Sequence, residues 1–297
     1  MLFASIDIGS NAARLLFANV FENRKRASAD KASLIRIPLR LGLDVFNEGF
    51  ISEEKADNLV KTMQAFKLLL EVYQPQAYTA CATAAMREAT NSKEILERVL
   101  NEAGIIVRII DGGEEAGIIS ALNSISINKQ FGTTMYVDVG GGSTEISVMA
   151  GERFINSSSF NIGTLRLLCE KTEQSEWDKM QEWLKPYQLK PGQINVVGSG
   201  GNINKLTKLY GSTANNTITL KELEYAFDHL GKMSMQERIE TMGLRPDRAD
   251  VIVPASDIFV RILKWAHQDY VIAPKIGLAD GLVLKLFNEY MLTEVVG

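Results

Sequence analysis

The sequence predicts an α/β protein built from two similar halves, and three observations carry that expectation. Short apolar and β-branched runs alternate with segments whose apolar residues recur at helical spacing, the pattern of sheets flanked by helices. A strand ending in aspartate, a glycine-containing turn and a second strand occur twice, in "LFASIDIGSNAARLLFANVF" and in "TTMYVDVGGGSTEISVM", so Asp7 and Asp138 hold matching places 131 positions apart. A third glycine turn, "GSGGN", leads instead from a strand into a helix. We read the first two as an internal repeat. At 297 residues the chain accommodates two ordinary domains, expected at 1–128 and 129–297, with a closing helix over 278–292 able to pack back on the first.

Each element follows from local pattern. "LFASIDI" and "ARLLFANVF" are strands joined by "GSNA", "ASLIRIPLRL" offers a third, and the basic run "NRKRASADK" is the solvated tip of their hairpin. "SEEKADNLVKTMQAFKLLLEVY" is an amphipathic helix behind Ser52; "QAYTACA" is a strand leading into "TAAMREATN". "NSKEILERVLNEAG" is a helix with Asn91 as cap, Glu94 completing the box and Gly104 as stop, followed by "IIVRII" as a buried strand and "GGEEAGIISALNSISI" as a helix. In the second half "TEISVMAGERFINSSSF" is a hairpin turning at Ala150 and Gly151, and "TLKE" and "SMQE" are capping boxes opening helices at Thr219 and Ser234. "RPDRADVIVPASDIFVRILKWAHQ" is helical despite Pro254, "YVIAP" is a strand and "GLADGLVLKLFNEYML" closes the chain as a helix.

Composition narrows the function. With 46% apolar and 23% charged residues the balance is that of a soluble globular protein, and a net charge of −4 supplies no basic face for nucleic acid. Any anionic ligand must be held by local features. No run of 18 apolar residues and no leader-like start occur, so neither a membrane nor export is expected and the location is read as cytoplasmic. Cys81 and Cys169 stand in unrelated contexts and are read as reduced core residues.

The glycine turns are the chemical signal. Three consecutive glycines in a hairpin that needs one or two fill no core and cost backbone entropy. A phosphate cradle needs them, because main-chain N–H groups must converge on one concavity with the backbone close to the anion. The competing reading, turns whose glycines serve geometry alone, suffices for a single "DVG" but explains neither the second copy nor the third turn. A P-loop is excluded, since no glycine turn is followed by Lys and Ser or Thr at the required spacing. A dinucleotide fingerprint is disfavoured because the first two turns lead to strands.

Together "DIGSNAARLL", "TAAMREATN", "GGEEAG", "DVGGGSTEI", "NIGTLRL" and "GSGGN" resemble the Ppx/GppA family of exopolyphosphatases and guanosine pentaphosphate phosphatases, within the actin-like phosphotransferase superfamily. The resemblance runs from Asp7 to the closing helix. It implies two actin-like (ribonuclease H-like) domains with mixed sheets, an active site in the interdomain cleft, and magnesium-assisted hydrolysis of a terminal phosphoanhydride. By similarity, Glu115 is the base that activates water, and Glu145 holds magnesium with Asp138 and Asp7 as direct or water-mediated ligands, unless Asp7 only bonds to its own turn. Gly9, Ser10 and Asn11, with Gly140, Gly141, Gly142 and Ser143, cradle phosphates, and Gly200 and Gly201 are weaker candidates for the same work. Arg87 stabilises charge on the transferring group, unless it only pairs with Glu88 or Glu94. Arg14 and Arg166, set in apolar segments, are read as bridging elements and left out of the site. Ala279 and Asp280 stand where the family's closing motif has Arg and Glu.

The expected function is an exopolyphosphatase using Mg2+, with guanosine pentaphosphate 5′-phosphohydrolase as the alternative. An actin-like kinase and a non-catalytic nucleotide-binding protein are the readings from other classes. The expected partner is a small anionic substrate, polyphosphate or guanosine pentaphosphate, with no nucleic acid and no membrane; a homodimer is compatible with this reading.

Overall fold

The computed structural model describes residues 1–23, 26–121, 132–188 and 193–296. The expected domain boundary at 128/129 and the hairpin tip at 24–25 lie outside the described residues. The chain divides into two compact units, Met1–Ile125 with Gly277–Gly297, and Ser126–Ile276.

The first unit runs β1 (Leu2–Ile8), β2 (Ala13–Asn23), β3 (Arg26–Ile37), α1 (Leu41–Glu48), α2 (Glu53–Tyr73), β4 (Ala77–Ala82), α3 (Ala84–Glu88), α4 (Ser92–Ala103), β5 (Arg108–Ile109) and α5 (Gly112–Ala121). Its sheet has the order β3-β2-β1-β4-β5, with β1 antiparallel to β2 and parallel to β4. Central β1 is buried from Phe3 to Ile8, which is why it reads as a nearly unbroken apolar run.

The second unit runs β6 (Thr133–Val139), β7 (Thr144–Ala150), β8 (Arg153–Phe160), α6 (Thr164–Leu168), α7 (Gln174–Leu184), β9 (Ile194–Ser199), α8 (Gly201–Tyr210), β10 (Thr217–Thr219), α9 (Leu220–Lys232), α10 (Met235–Glu240), α11 (Pro246–Ala249), α12 (Ile252–Trp265) and β11 (Tyr270–Ile272). Its sheet has the order β10-β11-β9-β6-β7-β8. Its core gathers Met135, Val137, Ile146 and Val196 from the strands with Ile203, Leu223, Phe259 and Leu263 from the helices.

The repeat extends to fine geometry. The order β8-β7-β6-β9-β11 copies β3-β2-β1-β4-β5, and β10 adds one edge strand. Asp7 faces Arg14 across β1–β2 as Asp138 faces Glu145 across β6–β7. Even the register irregularities correspond: one falls between Phe17 and Ala18, the other between Val148 and Met149, 131 positions later. Such a bulge bends the strand and is a built feature of a family of sheets.

Helix α13 (Leu278–Val296) belongs to the first unit. Phe3 meets Phe287 and Tyr290 edge to face at 5.6 and 5.4 Å, and the Ser5 hydroxyl donates to the Ala279 carbonyl at 2.8 Å. Gly281 allows α13 to press on α5, since a Cβ there would lie 2.6 Å from Ile118 Cγ2 and 2.7 Å from its carbonyl oxygen.

Two local expectations are corrected. "IIVRII" pairs with β4 only at Arg108 and Ile109, and Ile106 is 75% exposed; β5 is an edge strand with a short partner. Asn91 precedes α4 but its amide does not cap it, because it is engaged with the backbone of Ile51 in both directions, at 3.0 and 2.8 Å. The glycines of the 9–12 and 140–143 turns have no positive φ. Pro254 is tolerated because it falls in the first turn of α12, where its missing N–H breaks no helical bond.

Candidate active site

In the first unit the β1–β2 turn is closed by the Gly9 N–H donating to the Ala12 carbonyl at 3.1 Å. The carbonyls of Ser10 and Asn11 accept from the backbone N–H groups of Gly42 (2.9 Å) and Arg40 (3.0 Å). In a planar trans peptide each N–H points opposite to the carbonyl before it, so the amides of Asn11 and Ala12 face away from α1. Asp7, at the end of β1, is buried and ion-paired with Arg14 at 2.5 Å.

Helix α5 begins where it does because the Asp111 carboxylate accepts from the Glu114 N–H at 2.8 Å, an N-cap bond. The two glutamates of "GGEEA" then part company. Glu114 takes a two-pronged bond from Arg108 (2.5 and 2.6 Å) and one from Lys285 (2.9 Å), and the Arg108 bond above all lowers its carboxyl to about 2. Glu115 is 7% exposed. Asp7 pairs with Cys81 across β1 and β4, and the Ala82 carbonyl that ends β4 accepts from the Ile110 N–H at 3.0 Å, so the approach to α5 lies at the same end of the sheet as Asp7. Half-buried Arg87 on α3 donates to the Ile110 carbonyl at 3.0 Å, at the approach to α5.

In the second unit the β6–β7 turn repeats the closure: the Gly140 N–H donates to the Ser143 carbonyl at 2.9 Å. The Gly140 carbonyl accepts from the Thr164 N–H (3.0 Å) and that of Gly141 from Leu165 and Arg166 (2.8 and 3.1 Å). The Gly142 carbonyl accepts from Arg166 Nε at 2.8 Å. With three successive carbonyls held by the α6 segment, the amides of Gly141, Gly142 and Ser143 face the opposite way.

Beside it, Asp138 and Glu145 oppose each other across the strands, with a carboxylate oxygen of one within 4.8 Å of one on the other. Like charges so placed repel unless a cation joins them. The Ser199 hydroxyl donates to Asp138 at 2.5 Å and the Ser159 hydroxyl to Glu145 at 2.7 Å, fixing both acids. A pair of oriented carboxylates with no nitrogen or sulfur donor suits a hard divalent cation such as Mg2+. In the first unit Arg14 stands where Glu145 stands in the second, and meets the negative charge itself.

At the third turn Gly200 has φ +94°, and a Cβ on it would lie 3.2 Å from Asp138 Oδ1; a Cβ on Gly201 would lie 2.5 Å from an Arg248 nitrogen. The positive φ requires glycine at 200, while at 201 the Arg248 guanidinium lies against the turn where a side chain would stand. The structure thus groups Gly9, Ser10, Asn11, Asp7, Arg87 and Glu115 at one end of the first unit, and Asp138, Gly140, Gly141, Gly142, Ser143, Glu145, Gly200 and Gly201 at one end of the second. Four contributors escaped the sequence reading: Ser159, Ser199, Arg248 and Gly163. Of these only Gly163 carried a signal, as a lone glycine before a helical run; a Cβ there would lie 2.4 Å from the Gly142 carbonyl carbon.

These features define a two-unit α/β protein with acids and glycine turns at the strand ends of both sheets. The model of the Ppx/GppA phosphatase family matches residues 33–289, and the chain belongs to that family. It is similar to the bifunctional 3-dehydroquinate synthase/phosphatase of Fusobacterium nucleatum, 26% identical over 96% of this chain, which spans 46% of that longer protein. It is likewise similar to exopolyphosphatase 1 of Mycobacterium tuberculosis, 25% identical over 96% of this chain and 91% of the relative. Among solved structures, the Aquifex aeolicus Ppx/GppA family member matches with a TM-score of 0.74 at 26% identity, covering 98% of each chain.

Proposed function

We propose that the chain is an exopolyphosphatase that hydrolyses the terminal phosphoanhydride of inorganic polyphosphate in the presence of Mg2+. The observation that carries this reading is the β6–β7 turn: three amides turned one way beside the opposed carboxylates of Asp138 and Glu145. That combination fits a phosphate tail with its cation, and nothing in it requires a base or a sugar. The name of the mycobacterial relative supports the same substrate.

In this reading Asp138 and Glu145 would hold Mg2+, which when bound would neutralise phosphate oxygens. The amides of the 140–143 turn bind and orient the tail, and Arg87 offsets charge on the transferring group. Asp7 anchors Arg14 at the first turn. Glu115, buried at the start of α5, orients the attacking water and accepts its proton. The P–O bond to the leaving phosphate breaks as the water oxygen bonds to phosphorus, and that electron pair leaves with the shortened chain.

The test is phosphate release from polyphosphate, guanosine pentaphosphate and ATP, with and without Mg2+, beside Glu115→Gln. Release from polyphosphate in Mg2+ is expected, with kcat of the variant lower by about 10²–10⁴. A variant equal to the parent removes Glu115 from the mechanism; preference for guanosine pentaphosphate replaces the substrate.

A further inference from the structure

The phosphate reading needs the amides of the 140–143 turn aimed at the anion, and the second unit contains a device that aims them. We propose that Arg166 is a positioning residue of this turn, holding the Gly142–Ser143 peptide so that the Ser143 N–H serves as a phosphate donor; this rests on the function proposed above.

The argument starts with donors at the start of α6. The first N–H groups of any helix have no partner within it. Here those of Thr164, Leu165 and Arg166 are given to the carbonyls of Gly140 and Gly141. The main chain has then spent its three amides, and the third carbonyl, that of Gly142, is taken by the Arg166 side chain through Nε at 2.8 Å, in a buried bond. Peptide planarity transmits this grip to the Ser143 N–H on the other side. A cationic donor on the carbonyl also polarises the amide, which strengthens its N–H toward an anion.

Two further observations support the device. Gly163 lets α6 lie directly on the turn, since a Cβ would come within 2.5 Å of the Gly141 carbonyl oxygen. The Thr144 hydroxyl donates to the Ile162 carbonyl at 2.6 Å, tying the chain entering α6 to the strand leaving the turn. Arg166 is 8% exposed, so its charge acts from behind the backbone.

The experiment measures tripolyphosphate binding in Mg2+ by calorimetry, together with KM and kcat on polyphosphate, for the parent, Arg166→Ala and Arg166→Lys. Arg166→Ala is expected to weaken binding and raise KM about tenfold to a hundredfold, with kcat changing less, because a bond to a charged donor is lost. Added guanidinium, at concentrations that leave the parent unaffected, is expected to restore part of the loss. A folded Arg166→Ala protein with parental binding overturns the proposal, as does a loss that guanidinium leaves untouched. Should Arg166→Ala not fold, Arg166→Lys decides. A buried ammonium sheds its proton at lower pH than a guanidinium, so KM of that variant should climb on the alkaline side where the parent's stays flat. A parental profile overturns the proposal. Absence of phosphate release by the parent defeats the functional reading instead, while tripolyphosphate binding still reports on Arg166.

Discussion

The adjacent glutamates of α5 are chemically identical, and their surroundings give them different tasks. Glu114 is tied to Arg108 and Lys285, so it joins β5, α5 and α13, while Glu115 is buried next to it. The tie makes a prediction about acid. The folded carboxyl of Glu114 lies at about 2 against an ordinary value of 4.5. A depressed carboxylate stabilises the fold fully above the ordinary value, and that contribution disappears as pH falls through the folded one. Thermal unfolding of the parent should therefore exceed that of Glu114→Gln between pH 5 and 7. The gap should close progressively from pH 4.5 toward 2. Because Glu114 and its partners are part exposed, added salt should narrow the gap. A gap independent of pH would show that the ion pairs contribute nothing to stability.

Among the elements, helix starts show how far local pattern reaches. "TLKE" and "SMQE" form reciprocal capping boxes as their spacing dictates: Thr219 and Ser234 accept from the amides of Glu222 and Glu237 while those acids return to the cap. Asn91 has the same local pattern, yet a neighbour distant in sequence, Ile51, claims its side chain. Local chemistry is legible where no tertiary partner competes. The site divides along the same line. Glycine turns and terminal acids could be read because they break the surrounding pattern. Ser159 and Ser199 could not, since a serine at a strand end acquires its role only when another strand brings Glu145 or Asp138 alongside. The "IIVRII" run is a strand at only two of its positions for a related reason, since apolar composition does not say how far a strand will pair. For Thr219→Ala the expected cost is about 1 kcal/mol, a fall of roughly 2–4 °C in the unfolding midpoint. Phosphate release at 25 °C should not change, since α9 carries no site residue; a loss of activity equal to that of Glu115→Gln would place α9 in the chemistry.

At the scale of the molecule, the two units share strand order, register and bulge, yet differ in one charge at the place that matters. The first unit answers its strand-end aspartate with Arg14; the second faces Asp138 with another acid. The strand-end pair is therefore of opposite charge in the first unit and of like charge in the second. Thermal unfolding with and without Mg2+ should reveal this asymmetry. Saturating Mg2+ is expected to raise the midpoint of the parent, the stabilisation reaching about 2.7 kcal/mol at a hundred times the dissociation constant. Asp138→Asn and Glu145→Gln should abolish that response. Both are expected to match or exceed the parent's stability without Mg2+, because each relieves repulsion between opposed carboxylates. Asp7→Asn should do the reverse. It costs about 1–3 kcal/mol at any Mg2+ concentration by depriving Arg14 of its acid, and it leaves the Mg2+ response intact. If Asp7→Asn instead removes the response while Glu145→Gln keeps it, the cation belongs to the first unit, and the division of labour drawn from the repeat is reversed.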